Sequence, residues 1–202
     1  ARRLSSDGAH VVCADVLDTA EIVDEITAAG GSAEGRSVDV TDGDAAAETV
    51  KAIHADHGCF DILVNNAGIT RDTLAMRMKD EDWQAVIDTN LTGAFRLARN
   101  VLRGMLKARW GRIVNVSSVG GFTYRGGGAA LYSITKSGIA RMTEVLAVDL
   151  DGKRVSLPVE IRLMSSGNSA RSTTGLVSED CGVRSALRSA PTPGTPPDGP
   201  AA

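Results

Sequence analysis

The chain has 202 residues, a length that suits one domain with a sizeable core. Hydrophobic residues make up 43% of the sequence and charged residues 23%, which is the balance of a globular protein. A net charge of -3 without dense basic runs argues against a nucleic-acid-binding protein, and no apolar run approaches membrane-spanning length.

Three cysteines and three histidines are scattered along the sequence. Cys13, Cys59 and Cys181 offer neither a disulfide framework nor metal-ligand spacing, which fits a reducing cytoplasm. The histidines are equally dispersed, so the sequence predicts no zinc or iron site. We therefore expect a cytoplasmic protein without a bound metal.

Short apolar runs alternate with amphipathic stretches along the chain. The pattern predicts a helix end over residues 1–6, strands over 10–14, 33–40, 60–64 and 112–116, and helices over 18–29, 42–57, 81–108 and 132–150. The helix over 81–108 is expected to break or bend near residues 90–93. Such alternation predicts a parallel sheet with helices on both faces.

Sheets of this kind bind ligands at the carboxyl ends of their strands. The residues that follow predicted strands are Asp15, Asp39, the turn Asn65-Asn66-Ala67-Gly68, and Ser117-Ser118. Asp15 suits the hydroxyl groups of an adenosine ribose, although a helix-capping aspartate is an equal alternative. Small residues in the turn let the backbone approach a ligand closely, and a hydroxyl such as Ser118 can polarise a substrate carbonyl.

A tyrosine and a lysine lie four residues apart at the start of the last predicted helix. This spacing places Tyr132 and Lys136 on one helix face, one turn from each other. A protonated lysine near a phenol favours the phenolate, and a phenol tuned in this way can pass a proton to or from a substrate oxygen. The alternative is an ordinary tyrosine with a solvated lysine one turn on.

Together these residues resemble the short-chain dehydrogenase/reductases. The resemblance covers residues 1 to about 150 and rests on an ordered set of residues: Asp39-Val40, the Asn65–Gly68 turn, Asn90, Ser118, Tyr132 and Lys136. It implies an α/β fold with a Rossmann-like, doubly wound parallel sheet in three α/β/α layers. Residues 69–83 look most like 3-oxoacyl-acyl-carrier-protein reductases, and acetoacetyl-CoA reductases look similar.

The resemblance implies a role for each matching residue. Tyr132 would act as general acid on the ketone oxygen, Lys136 would tune Tyr132 and hold the nicotinamide ribose, and Ser118 would bind and polarise the substrate carbonyl. Asn90 would hold a water that links Lys136 to solvent. The implied cofactor-binding residues are Asp15, Asp39, Val40, Asn66, Ala67, Gly68, Tyr132 and Lys136.

The implied reaction is NAD(P)H-dependent reduction of a 3-oxoacyl thioester to the 3-hydroxyacyl form in fatty-acid biosynthesis. Acetoacetyl-CoA reduction, or another short-chain alcohol or ketone oxidoreduction, is the alternative. Either NAD(H) or NADP(H) is possible, and the charge of Asp15 favours NAD(H) because it would face a 2′-phosphate. The resemblance also implies a homotetramer. It further implies that an acyl carrier protein docks near Arg109, and the alternative is that the basic residues around Arg109 form a solvated helix face.

Two features depart from the family pattern. The glycine-rich phosphate loop and the strand before it would have to precede Ala1, which predicts a gap in the sheet between the strand at Val11 and the strand at Phe60. Residues 1–155 are expected to form a partial dinucleotide-binding domain, and residues 156–202 an atypical, disordered tail rich in Ser, Arg, Gly and Pro. The alternative to an oxidoreductase is therefore a non-enzymatic protein, an inactive fragment able at most to oligomerise.

Overall fold

The structure is a computed structural model that describes residues 1–58, 60–122 and 128–150, together with the backbone of three strands between residues 155 and 178. The helices are α1 (Arg2–Ser6), α2 (Ala20–Ala28), α3 (Gly43–His57), α4 (Asp80–Ile87), α5 (Gly93–Ala108) and α6 (Ala130–Asp149). The strands are β1 (His10–Asp15), β2 (Ser32–Ser37), β3 (Ile62–Asn65), β4 (Gly111–Ser118), β5 (Val155–Ser156), β6 (Val159–Arg162) and β7 (Thr174–Ser178).

All seven strands belong to one sheet, in the order β2-β1-β7-β3-β4-β5, and β6 also pairs with β4. The pairs β1–β2 and β3–β4 are parallel, as the alternation of strands and helices predicts. Both β5 and β6 run parallel to β4, the first beside its start and the second beside its end. The predicted α/β class with a parallel sheet is confirmed for these strands.

The sheet separates two hydrophobic cores, and β1 contributes to both of them. Val12 and Ala14 point into the core that α3, α5 and the end of α6 cover. Val11 and Cys13 point into the smaller core beneath α1 and α2. This alternation follows from the two-residue period of a strand, and it confirms a three-layer arrangement with helices on both faces.

The boundaries of α3 follow from capping residues in the sequence. The Asp42 side chain accepts hydrogen bonds from the backbone N–H groups of Asp44 and Ala45, so α3 begins at this aspartate as its sequence predicts. The same helix ends at Gly58, whose φ of 76° favours glycine. At the predicted bend between α4 and α5, Asp88–Thr92 forms a π-helical turn and the helical path continues.

A chain of buried polar side chains connects four elements of the fold. Asn65 Nδ2 donates to Asn115 Oδ1 at 2.8 Å and to the Ala94 carbonyl at 3.1 Å. Asn115 Nδ2 in turn donates to Thr143 Oγ1 at 2.9 Å. Asn115 and Thr143 are fully buried. These bonds join α5, β3, β4 and α6, so they fix both helices relative to the strand ends.

The centre of the sheet differs from the sequence-based expectation. No gap remains between β1 and β3, because β7 lies antiparallel to both strands there. β6 and β7 lie within the stretch that the composition predicts to be disordered, so this part of it pairs with the sheet. The rest of residues 156–202 lies outside the described residues. Within the described residues, no helix is long and apolar enough to cross a membrane.

The histidines are dispersed in the sequence but not in the fold. His10 begins β1 and His57 ends α3, and their ring centroids lie 4.6 Å apart. Glu34 of β2 lies beside them, with Oε1 3.2 Å from Nε2 of His57. Sequence separation hides this cluster, because β1–β2 pairing and the end of α3 bring its members together.

We expect Asn115→Ala to lower the free energy of unfolding by about 2–4 kcal/mol, since it removes the two buried hydrogen bonds that join this side chain to Asn65 Nδ2 and Thr143 Oγ1. Urea denaturation measures the loss. Asn100→Ala is the matched control, because Asn100 is a half-buried asparagine whose Nδ2 has no hydrogen-bond partner in the described part of the chain. Equal losses in the two variants would contradict the role of the Asn115 network.

Candidate active site

The end of β4 is held tightly against the first turns of α6. Ser117 Oγ donates to the Lys136 carbonyl at 2.7 Å, and Ser137 Oγ donates to the Gly121 carbonyl. A Cβ atom at Gly121 would lie 2.9 Å from the backbone of Lys136 and Ser137, closer than packed atoms allow. Glycine at this position therefore lets the loop after β4 touch the helix that carries Tyr132 and Lys136.

The Lys136 ammonium group is buried between α6 and β4. The residue is only 4% exposed, and Nζ donates to the Val116 carbonyl at 2.9 Å. Burial lowers the pKa of Lys136 from 10.5 to about 8, so at pH 7 the group is still protonated. Nζ also lies 5.8 Å from the centroid of the Tyr132 ring. The spacing of these two residues thus places a cation beside the phenol ring, as the sequence predicts.

Asn90 lies fully buried in the π-helical turn and binds the loop that follows β3. Its Oδ1 accepts from the Ile69 N–H at 2.7 Å, and its Nδ2 donates to the Ile69 carbonyl at 2.9 Å and to Thr135 Oγ1 at 3.2 Å. The side chain therefore holds Ile69 against α6. The resemblance to the short-chain dehydrogenase/reductases implies that Asn90 holds a water, and these direct contacts give the side chain a second, positioning role.

Gly68 completes the cluster around Lys136. A Cβ atom at this position would lie 3.3 Å from Asn90 Oδ1 and 3.5 Å from Lys136 Nζ. The structure therefore brings together three predicted residues, Gly68, Asn90 and Lys136, that belong to separate elements. A side chain at Gly68 would fill the space beside the ammonium group, which explains why a glycine follows the Asn-Asn-Ala sequence.

Ser118 and Tyr132 lie on β4 and α6, the two elements between which Lys136 is buried. Ser118 is the buried last residue of β4, and its Oγ accepts from the Gly120 N–H at 3.2 Å. Tyr132 lies half-buried in the first turn of α6. No hydrogen bond joins these two side chains among the described residues, so both are placed by their elements and not by contact with each other.

A cavity of about 220 Å³ adjoins this cluster at the ends of β1 and β3. Four predicted cofactor-binding residues line it together with Ile69: Asp15, Asp39, Val40 and Ala67. Both aspartates also make local turns, because Asp15 Oδ1 accepts from the Leu17 N–H and Asp39 Oδ1 accepts from the Thr41 N–H and hydroxyl. Capping and ligand binding are compatible here, since each carboxylate has a second oxygen. Asn66, the remaining predicted residue, lies in the turn after β3.

The residues present fit the nucleoside portion of a dinucleotide. Carboxylates at the cavity edge can accept hydrogen bonds from ribose hydroxyl groups, and the small Ala67 and Gly68 leave room for a ring. Lys136 provides a donor close to Gly68. The sequence indicates Ser117 as a strand-end residue but does not indicate the supporting residues Gly121 and Ser137, for which the Gly120-Gly121 pair was the available signal.

The amino-acid sequence matches known proteins over most of its length. A profile of the family described as short chain dehydrogenase matches residues 1–168. The chain is 45% identical over 128 residues to 3-oxoacyl-acyl-carrier-protein reductase FabG of Vibrio cholerae, covering 63% of this chain and 52% of that protein. The same enzyme of Escherichia coli K12 is 40% identical over 160 residues, covering 79% of this chain and 64% of that protein. The chain therefore spans between about half and two thirds of the length of these relatives.

Solved structures support the same relationship. A putative short-chain dehydrogenase/reductase from Burkholderia xenovorans superposes with a TM-score of 0.78 at 31% identity, covering 82% of this chain and 66% of that chain. A metagenomic short-chain oxidoreductase in complex with NADP superposes with a TM-score of 0.75 at 34% identity, covering 80% and 74% of the two chains.

We expect Lys136→Met to raise the free energy of unfolding at pH 7 by up to about 3 kcal/mol, because it removes the cost of burying an ammonium group. Between about pH 8 and 10.5 the folded lysine loses its proton before the unfolded one does. The free energy of unfolding of the wild type therefore rises between about pH 8 and 10.5, and the stability advantage of Lys136→Met shrinks over the same range. Urea denaturation across this pH range measures it.

The matched control is Lys51→Met, which removes an exposed lysine of α3. Its stability difference from the wild type should stay nearly constant over the same pH range. If the stability difference between Lys136→Met and the wild type were also constant over this pH range, burial of the Lys136 ammonium group would not destabilise the folded chain.

Proposed function

This chain belongs to the short chain dehydrogenase family, and on that premise we propose that it reduces a 3-oxoacyl thioester to the 3-hydroxyacyl form with NADH or NADPH. The observation that carries the proposal is the buried ammonium group of Lys136, bonded to Val116 and placed beside the Tyr132 ring. Relatives at 40–45% identity are 3-oxoacyl-acyl-carrier-protein reductases, which supports this substrate class.

Tyr132 donates the proton that the substrate oxygen needs. Its half-buried position at the start of α6 leaves the hydroxyl accessible to a substrate at the carboxyl end of the sheet. The nearby cation of Lys136 stabilises the phenolate that remains after transfer. Lys136 keeps its own charge at neutral pH because its pKa of about 8 lies above 7.

Ser118 binds the substrate carbonyl oxygen and polarises it. Its hydroxyl group already accepts a hydrogen bond from the Gly120 N–H, so its own proton remains available to donate to the substrate. Gly121 and Ser137 hold the loop against α6, which fixes the distance between Ser118 and Tyr132. Asn90 has a positioning role, because it holds Ile69 and Thr135 on the two sides of Lys136.

A nicotinamide cofactor, when bound, supplies the hydride. Asp15, Asp39, Val40, Asn66 and Ala67 bind its adenosine half, while Gly68, Tyr132 and Lys136 bind near the reacting end. We favour NAD(H), because the Asp15 carboxylate would repel a 2′-phosphate. The metagenomic relative with NADP bound shows that the phosphorylated cofactor is a real alternative within this family.

The proposal includes two kinds of protein partner. Arg109, an exposed residue at the end of α5, would contact an acidic acyl carrier protein through its positive charge. A second copy of the chain would cover the exposed apolar residues of α5 and α6, as in a homotetramer. These residues are Phe95, Ile134, Val145 and Val148.

Tyr132→Phe should lower turnover of a 3-oxoacyl thioester by at least about 100-fold, because the general acid is lost. Binding of NADH, measured by fluorescence titration, should change less than about twofold because the ring remains in place. Ser133→Ala is the control at the neighbouring position, and it should keep wild-type turnover.

Two results would contradict the proposed function. Near-normal turnover in Tyr132→Phe would remove Tyr132 from the reaction. A wild-type chain that neither binds NADH nor reduces the thioester would favour the alternative of an inactive fragment.

Asp15→Ser should lower KM for NADPH by about tenfold while leaving KM for NADH unchanged or higher, because a charge facing the 2′-phosphate is removed. Steady-state assays with both cofactors measure the ratio. Asp18→Ser is the matched control, since Asp18 is an acidic neighbour that accepts a similar backbone hydrogen bond, from the Ala20 N–H, but does not line the 220 Å³ cavity. A wild-type enzyme that already prefers NADPH would overturn the assignment of Asp15.

A further inference from the structure

Two histidines and a glutamate meet at the end of the sheet opposite the candidate active site. His10 is the first residue of β1, Glu34 lies near the start of β2, and His57 is the last residue of α3. One ligand atom from each side chain lies within 4.8 Å of the other two. The three residues are half-buried, so solvent and ions can reach the cluster while its shape is fixed by packing.

The hydrogen bonds of the cluster prepare its donor atoms. His10 Nδ1 lies 2.6 Å from Ser32 Oγ, and this contact fixes the orientation of the ring. His57 Nε2 lies 3.2 Å from Glu34 Oε1. Two imidazole nitrogens and a carboxylate oxygen form the donor set of many three-residue metal sites, with open positions for water.

The surrounding charges can accommodate a cation. Arg36 bonds Glu34 Oε1, but the same guanidinium group bonds Asp56 at 2.8 Å, so it keeps a partner if Glu34 turns towards a metal. The 15-residue helix α3 ends at His57, and the carboxyl end of a helix carries partial negative charge. The helix end lowers the cost of placing a positive ion between the two histidines, and the bond to Asp56 keeps the Arg36 charge paired when Glu34 turns away from it.

We propose that His10, Glu34 and His57 bind a divalent transition metal ion of the zinc class. A distance of up to 4.8 Å between ligand atoms is wider than a bound ion requires, so binding draws the three side chains together. Because the ligands come from β1, β2 and α3, the ion joins three elements far from Tyr132 and Lys136. The site therefore stabilises the fold and takes no part in hydride transfer.

The test is the melting temperature of the untagged protein with and without Zn²⁺, together with calorimetric titration of Zn²⁺. Cys59 and Cys181 are replaced by Ser in every protein, so that these thiolates cannot act as competing ligands. Cys13 can remain, since burial in the core raises the pKa of its thiol. We expect Zn²⁺ to raise the melting temperature because it binds the folded chain preferentially.

His57→Gln and Glu34→Gln should each weaken Zn²⁺ binding by about 100-fold, since each removes one of three ligands. His54→Gln is the matched control: His54 is the third histidine of the chain, exposed on α3 one turn before His57. This variant should bind Zn²⁺ like the wild type.

Histidine ¹⁵N resonances give a second readout that does not depend on stability. Zn²⁺ should shift the signals of His10 and His57 and leave those of His54 unchanged. The proposal is overturned if wild-type protein shows no Zn²⁺-dependent stabilisation, if His57→Gln binds as tightly as the wild type, or if only His54 shifts. Reductase activity is measured in parallel. It tests the proposed function only, and its presence or absence does not change the conclusion about Zn²⁺ binding.

Discussion

The burial of a positive charge at the carboxyl end of the sheet determines the arrangement of the candidate active site. An ammonium group that leaves water needs acceptors and a polar surrounding, and Lys136 has the Val116 carbonyl and the Asn90 amide oxygen nearby. The strand end and the helix must stay close for this bond to persist. Two hydrogen bonds meet that requirement: Ser117 of β4 donates to the Lys136 carbonyl of α6, and Ser137 of α6 donates to the Gly121 carbonyl after β4. The contacts that bury the Lys136 ammonium group are therefore also the contacts that hold the end of β4 against α6 in the candidate active site.

The asparagine network extends this constraint across the sheet. Asn65 and Asn115 exchange a hydrogen bond between neighbouring strands and fix α5 through Ala94 and α6 through Thr143. The π-helical turn before α5 then carries Asn90 towards Ile69 and Thr135. Because these bonds lie in a dry interior, each is worth more than it would be at the surface. Together they make the positions of Gly68 and Lys136 depend on elements distant in sequence.

Local patterns were enough to predict the features that depend on neighbouring residues. The four-residue spacing of Tyr132 and Lys136, the capping Asp42 and the alternation in β1 all follow from helix and strand periodicity. Features that depend on contacts between residues distant in sequence could not be predicted from these local patterns. The approach of His10 to Glu34 needs the register of β1 on β2, and the direct contacts of Asn90 need the path of the loop after β3.

The position of β7 has a physical explanation that sequence periodicity does not contain. The facing edges of β1 and β3 present backbone groups that require partners, and backbone hydrogen bonds do not depend on which side chains the partner carries. A short run such as Thr174–Ser178 can meet this need in the antiparallel direction. The direction has a consequence for the site: Thr174 pairs with Ala14 and Gly175 with Val64, so β7 begins at the edge where β1 and β3 end. The space between Asp15 and Asn65 therefore meets the start of a strand, whereas a parallel strand would present its end and the turn that follows it.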